Sequence, residues 1–114
     1  MAELSEETLK VILELELRLA KLIHQASATE LSIFESYGET AATMTVLEQL
    51  TNIKERATSS YSRLSNLLLR ISEIQPVATI ATLELLSKTI EQAQATANAG
   101  DATVKEAKTD WNIS

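Results

Sequence analysis

The sequence is constrained most by how few of its residues interrupt regular backbone. Among 114 residues there are two glycines, Gly38 and Gly100, and one proline, Pro76. Folds rich in strands need a turn about every eight to twelve residues. Glycine and proline supply most of those turns, so this chain cannot easily build a sandwich or an α/β domain. Long helices need few breakers, and the sequence predicts an all-α fold. Apolar residues make up 45% of the chain, enough to bury a core within one domain spanning residues 1–114.

The helix ends can be read from capping chemistry. Ser5 followed by Glu6 and Glu7 marks a start, because a serine hydroxyl accepts an orphan N–H and acids suit the positive end of the helix dipole. Gly38 lies where the apolar pattern breaks and reads as a left-handed C-cap, giving a first helix over about 5–36. Thr40 caps a second helix over about 40–74. Pro76 cannot continue it without losing a hydrogen bond and clashing with the preceding turn. A tight turn over Gln75–Ala78 is preferred to a kinked continuous helix, because a reversal lets two apolar faces meet. Thr79 then caps a third helix over about 79–111.

Apolar rows recur every seven residues. On the second helix they are Leu50, Ala57, Leu64, Ile71 and Val46, Ile53, Ser60, Leu67, Ile74. On the third they are Leu83, Ile90, Ala97, Val104, Trp111 and Leu86, Ala93, Gly100, Ala107. That register passes Gly100 without a slip, which favours one helix over a break capped by Asp101. Thr82, Thr89, Thr96 and Thr103 run beside this seam, and with its alanines make a face of small residues. Helices of this size are roughly 45–50 Å long. The expected architecture is an up-down-up bundle of three long antiparallel helices with coiled-coil-like packing.

The first helix is apolar over roughly two-thirds of its circumference at 100° per residue. Ile12, Leu19, Ala26 and Ile33 form its central row, with Leu15 and Leu22 on one flank. Leu13, Ala20, Phe34, Leu17 and Leu31 lie on the other. Two partner helices cannot easily cover so wide an arc. A further helix from another chain is therefore expected, first of all in a symmetric dimer, giving a larger bundle. Leu13, Leu15, Leu17, Leu22 and Leu31 are the interface candidates.

Polar residues within the arcs are candidate register-setting groups. Glu16 and Glu30 share a row with Leu9, Ile23 and Tyr37, and Lys54 lies among Leu47, Tyr61 and Leu68. A buried charge without a partner costs several kcal/mol, so each of these must find one. A hairpin centred on Gly38 would set Glu16 against Tyr61, with Lys54 as a second candidate partner. Arg56, Arg63 and Arg70 form one row, Glu84 and Glu91 another, and Arg63, Arg70, Glu84 and Glu91 are expected to form interhelical ion pairs.

Little in the sequence points to chemistry. There is no cysteine, and no glycine-rich phosphate loop, nucleophile elbow or calcium loop. Di-iron bundles use Glu-x-x-His on two helices, whereas the single His24 has no glutamate three residues before it. Glu16 and Glu30 are about 21 Å apart along one helix, too far to share an ion. His24 reads as a packed or half-exposed structural residue. The net charge of −6 opposes a nucleic-acid backbone and an anionic membrane surface. No apolar run reaches the roughly 18 residues of a membrane span. The acidic start, MAELSEETLK, is unlike a targeting peptide, so a cytoplasmic location is expected. The expected function is a non-enzymatic protein–protein interaction module without a cofactor: an adaptor, scaffold or assembly subunit. The alternative is a bundle that carries an apolar ligand or cofactor between its helices.

Overall fold

The computed structural model describes residues 4–74 and 78–114. These form an all-α three-helix bundle: α1 (Glu6–Tyr37), α2 (Ala41–Glu73) and α3 (Ile80–Asp110). Each helix packs against both others, and the whole measures 56 × 20 × 17 Å. Pro76 and most of the expected Gln75–Ala78 turn lie outside the described residues. On either side of them α2 ends in extended backbone at Ile74 and α3 begins at the Thr79 cap.

All three expected N-caps form. The hydroxyls of Ser5, Thr40 and Thr79 accept the backbone N–H of Thr8, Thr43 and Thr82. Gly38 ends α1 with φ 75° but ψ −174°. It is therefore not in the left-handed helical region expected for it. It occupies an extended positive-φ region that side chains other than hydrogen rarely enter.

The Gly38 turn is braced by Thr43, which is 1% exposed. Its hydroxyl donates to the Gly38 carbonyl at 2.9 Å and accepts the Thr40 N–H at 2.9 Å, while Thr40 Oγ1 accepts the Thr43 N–H. This is a reciprocal capping box with threonine where glutamate or glutamine is usual. Thr43→Val keeps the shape and removes the hydroxyl. It is expected to lower stability by about 1–2 kcal/mol in urea unfolding, because the part-buried Thr40 N–H and Gly38 carbonyl lose their partner. A change within error would mean that water replaces the hydroxyl.

Helix α3 ends in a way the sequence reading missed. Asn112 has φ 54°, its N–H reaches Thr109 O, and the Ile113 N–H reaches Lys108 O at 2.8 Å. This is a Schellman closure with asparagine as the left-handed residue, a role in which asparagine is second to glycine. The signal was Asn112, directly after Trp111 at the end of the last apolar row.

The core is built unequally. Helix α1 supplies Leu15, Leu19, Leu22 and Ile33, and α2 supplies Leu50 and Leu64. Helix α3 supplies mainly Ala93, Ala97, Val104 and Ala107. Small residues let α3 lie close to its neighbours. Gly100, inside the continuous α3, lies at such a close approach. A methyl group added there would overlap Leu22 Cδ2 and lie 3.2 Å from Ile53 Cγ2. At one end of the bundle Tyr37 and Trp111 meet edge to face at 5.1 Å, and the Tyr37 hydroxyl donates to Trp111 O at 2.8 Å. At the other, Ile12, Leu67, Ile71, Ala78 and Leu86 form a second cluster.

Candidate functional site

Helix α1 divides sharply into two faces. Its buried residues are Ile12, Leu15, Glu16, Leu19, Leu22, Ala26, Thr29 and Ile33. Leu15 and Leu22 are therefore core residues, not interface residues as the sequence suggested. Two neighbouring helices reach further round α1 than expected, because the small side chains of α3 let it sit close. Leu13, Leu17 and Leu31 remain 52%, 56% and 58% exposed, and Phe34 is 50% exposed.

These four share a stripe. Leu13, Leu17, Ala20, His24, Ser27, Leu31 and Phe34 alternate at spacings of four and three, the period that keeps residues on one side of a helix. His24 is exposed within it. The stripe borders the edge of α1 that faces α2, since Leu13, Ala20 and Phe34 lie one turn from Glu16 or Glu30, both of which touch α2. Helix α2 adds Met44 and Leu69, which are 50% and 61% exposed. Met44 is seven residues before Thr51 and Leu69 four after Ser65, so each lies on the same side of α2 as a residue that bonds α1. The sequence reading overlooked both. In the run Leu67-Leu68-Leu69 successive residues turn by about 100°, so one must face outward.

The polar groups beneath the stripe pair differently from expectation. The Ser65 hydroxyl, not Tyr61, donates to Glu16 Oε2. Lys54 Nζ donates to Glu30 Oε1 at 2.6 Å and not to Glu16, and Thr51 Oγ1 donates to Glu30 Oε2 at 2.7 Å. Tyr61 is exposed. One cause explains both corrections. The antiparallel pairing of α1 and α2 is centred just beyond Thr40 rather than on Gly38, which shifts every partner along α2 by about one turn. Ser65→Ala removes the hydrogen-bond donor to a carboxyl that is 8% exposed. It is expected to cost about 1–3 kcal/mol, and Glu16→Leu in the same chain should recover most of that loss. Equal stability of the single variant and the parent by urea titration would count against Ser65 as a register-setting group.

Arg18 makes the corresponding link to α3. Its Nη2 donates to Asp101 Oδ2 at 2.8 Å and Asn98 Oδ1 at 2.6 Å, and Nε donates to Asp101 Oδ2 at 3.2 Å. Both charged side chains are about two-fifths exposed. The clamp therefore fixes register more than it adds stability. Nothing in the sequence analysis above pairs Arg18 with a partner on α3.

Among the described residues the ion pairs are Arg18–Asp101 and Lys54–Glu30. The expected pairing of Arg63 and Arg70 with Glu84 and Glu91 does not form. Glu84 and Glu91 each stand two positions before a core residue, Leu86 and Ala93, about 200° round the helix. They project from the back of α3. Arg63 instead lines an open groove between α2 and α3 with Arg56, Glu55, Ser60 and Thr96. The small-residue face of α3 borders a second open groove, lined by Ile53, Ala99, Gly100 and Thr103.

Among the described residues no group of three or more His, Asp or Glu is placed to hold a metal ion. No helix among them is long and apolar enough to cross a membrane. Comparison of the chain with models of known protein families, with curated proteins and with solved structures finds no match.

Proposed function

We propose that this protein is a non-enzymatic interaction module, an adaptor, scaffold or assembly subunit, which docks a protein partner on the α1 stripe. One observation carries the reading. Leu13, Leu17, Leu31 and Phe34 are half or more exposed along one line of α1, and Met44 and Leu69 on α2 border it. Exposed leucines scattered singly are ordinary on protein surfaces. Two exposed apolar pairs on one line of a helix, joined by Ala20, His24 and Ser27 and rimmed by charge, are more than scattered single leucines and make this line the candidate interaction surface. The polar pairs of Glu16 and Glu30 lie beneath its edge and hold α1 against α2, so the stripe is presented by a rigid pair of helices.

The first partner to test is a second copy of the chain, because homo-oligomers are the commonest assemblies of soluble proteins and the test needs no other component. Light scattering on a size-exclusion column, over low to high micromolar concentration, measures this directly. A mass that rises to twice 12.5 kDa supports the reading. A monomeric mass at every concentration removes self-association and leaves the stripe to a different protein.

A further inference from the structure

We infer that Arg56 and Arg63 form a binding site for a single phosphate group in the open groove between α2 and α3. The site lies on the side of α2 that faces α3, away from the α1 stripe, and does not depend on the reading of that stripe.

The two arginines are placed to converge. Both line the groove, and they are seven residues apart on α2, so their backbones are about 10.5 Å apart along the helix. Ser59 and Ser60 line the same groove and fall at the midpoint, about 5 Å along the axis from each arginine. Thr96 reaches the same point from α3, with its Oγ1 3.5 Å from Ser60 Oγ. A pair of guanidinium groups thus flanks a cluster of hydroxyls.

The charges are not compensated within the groove. Arginines along an interhelical edge ordinarily meet acids on the facing helix. Here Glu84 and Glu91 point away, and where α3 walls the groove it presents Thr96, Ala99, Gly100 and Thr103, none of them charged. Among the described residues neither Arg56 nor Arg63 forms an ion pair. Glu55 also lines the groove, but it lies about 100° round α2 from Arg56 and pairs with neither guanidinium.

The donors select the ligand. Guanidinium groups only donate, and hydroxyls can donate as well. The groove therefore aims donors from two helices at one point. A tetrahedral anion has acceptor oxygens to meet them all, whereas a carboxylate presents two oxygens in one plane. The arginine fork also matches phosphate geometry. A long polyanion is opposed by Glu48, Glu55 and Glu73, exposed on the same helix, and by the net charge of −6. The fitting class is a compact phosphate, as the free ion or as a monoester.

Titration of the full chain with inorganic phosphate, replacing chloride at constant ionic strength and followed by proton–nitrogen NMR, tests the site. The Arg56 and Arg63 Nε–Hε signals are expected to shift saturably, with a dissociation constant of about 1–10 mM. Arg56→Gln and Arg63→Gln should each weaken binding at least about tenfold. Glu55→Gln should tighten it about two- to threefold, because a like charge leaves the rim. Arg70→Gln is the control. It continues the same row about two turns beyond Arg63, and its loss should change binding less than about twofold. Phenyl phosphate binding as well as inorganic phosphate would assign the site to a monoester, and binding of inorganic phosphate alone would assign it to the free ion; both support the site. Equal weakening by Arg70→Gln would mean general attraction to a row of arginines. Shifts that never saturate would mean an ionic effect, and tighter binding of single-stranded DNA would mean a nucleic-acid surface. Each of these last results overturns the proposal.

Discussion

Leu22→Ala is expected to lower stability by about 3–5 kcal/mol, a large share of what a domain of this size possesses. Leu22 is wholly buried. It fills the space that Gly100 leaves open on α3. The more informative result is what the change does to Gly100. In the parent chain, Gly100→Ala should gain about 1 kcal/mol of helix propensity and lose about 1–3 kcal/mol to overpacking. The new methyl overlaps Leu22 Cδ2, and Leu22 Cδ1 and Ile53 Cγ2 stand at 3.1 and 3.2 Å. The net effect is a loss of about 1 kcal/mol. With Leu22→Ala present, the overlap disappears and Gly100→Ala should stabilise by about 1 kcal/mol. A double-mutant cycle in urea would thus show a coupling of about 2 kcal/mol. Gly100→Ala stabilising both backgrounds equally would mean that α1 and α3 are not in close contact there.

Leu17→Glu with Leu31→Glu is expected to raise the dissociation constant of the dimer at least 100-fold, about 2.7 kcal/mol. Both leucines are more than half exposed in the single chain, and the proposed association would cover them. Each contributes about 1 kcal/mol of lost burial per copy, and each glutamate adds the cost of desolvating a carboxylate. Folding stability should change by less than about 0.5 kcal/mol, because neither position lies in the core. Leu85→Glu is the matched control. Leu85 is comparably exposed but lies on α3, and its substitution should leave association unchanged. Equal weakening by both changes would point to non-specific hydrophobic clustering. No weakening by the α1 pair would remove the stripe as the docking surface.

The two predictions separate residues that look alike in the sequence. Leu15, Leu17 and Leu22 are all leucines within one broad apolar arc, and all three were interface candidates. Leu15 and Leu22 are buried and Leu17 is not. Helical phase could not divide the arc, because how far two neighbours wrap around α1 depends on how close they come. That distance is set by the alanines and Gly100 of α3, residues remote from α1 in the chain.

Much of the candidate surface was nevertheless legible. Leu13, Leu17 and Leu31 lie outside the central seven-residue row, and a side chain far from the centre of an apolar arc is the first to be left uncovered. Met44 and Leu69 were not, because their exposure depends on where α2 meets α1. Glu16, Glu30 and Lys54 were recognised as polar groups needing partners. Glu16 meets α2 one turn beyond Tyr61, and Lys54 meets Glu30 rather than Glu16, since a hairpin register cannot be counted from a glycine whose backbone geometry is unknown.

What the sequence determined by itself was the set of three helices and where they begin and end. Those features are local: Ser5, Thr40 and Thr79 bond backbone amides three residues away, and Gly38 admits a conformation that a side chain would forbid. The seven-residue rows likewise fixed the central core face of each helix. Tertiary structure alone decided which flank of α1 is covered, which hydroxyl meets Glu16 and which cation meets Glu30. It also decided that Glu84 and Glu91 face solvent. Each of these depends on the distance and axial offset between helices, and those follow from the packing of all three together rather than from any one segment.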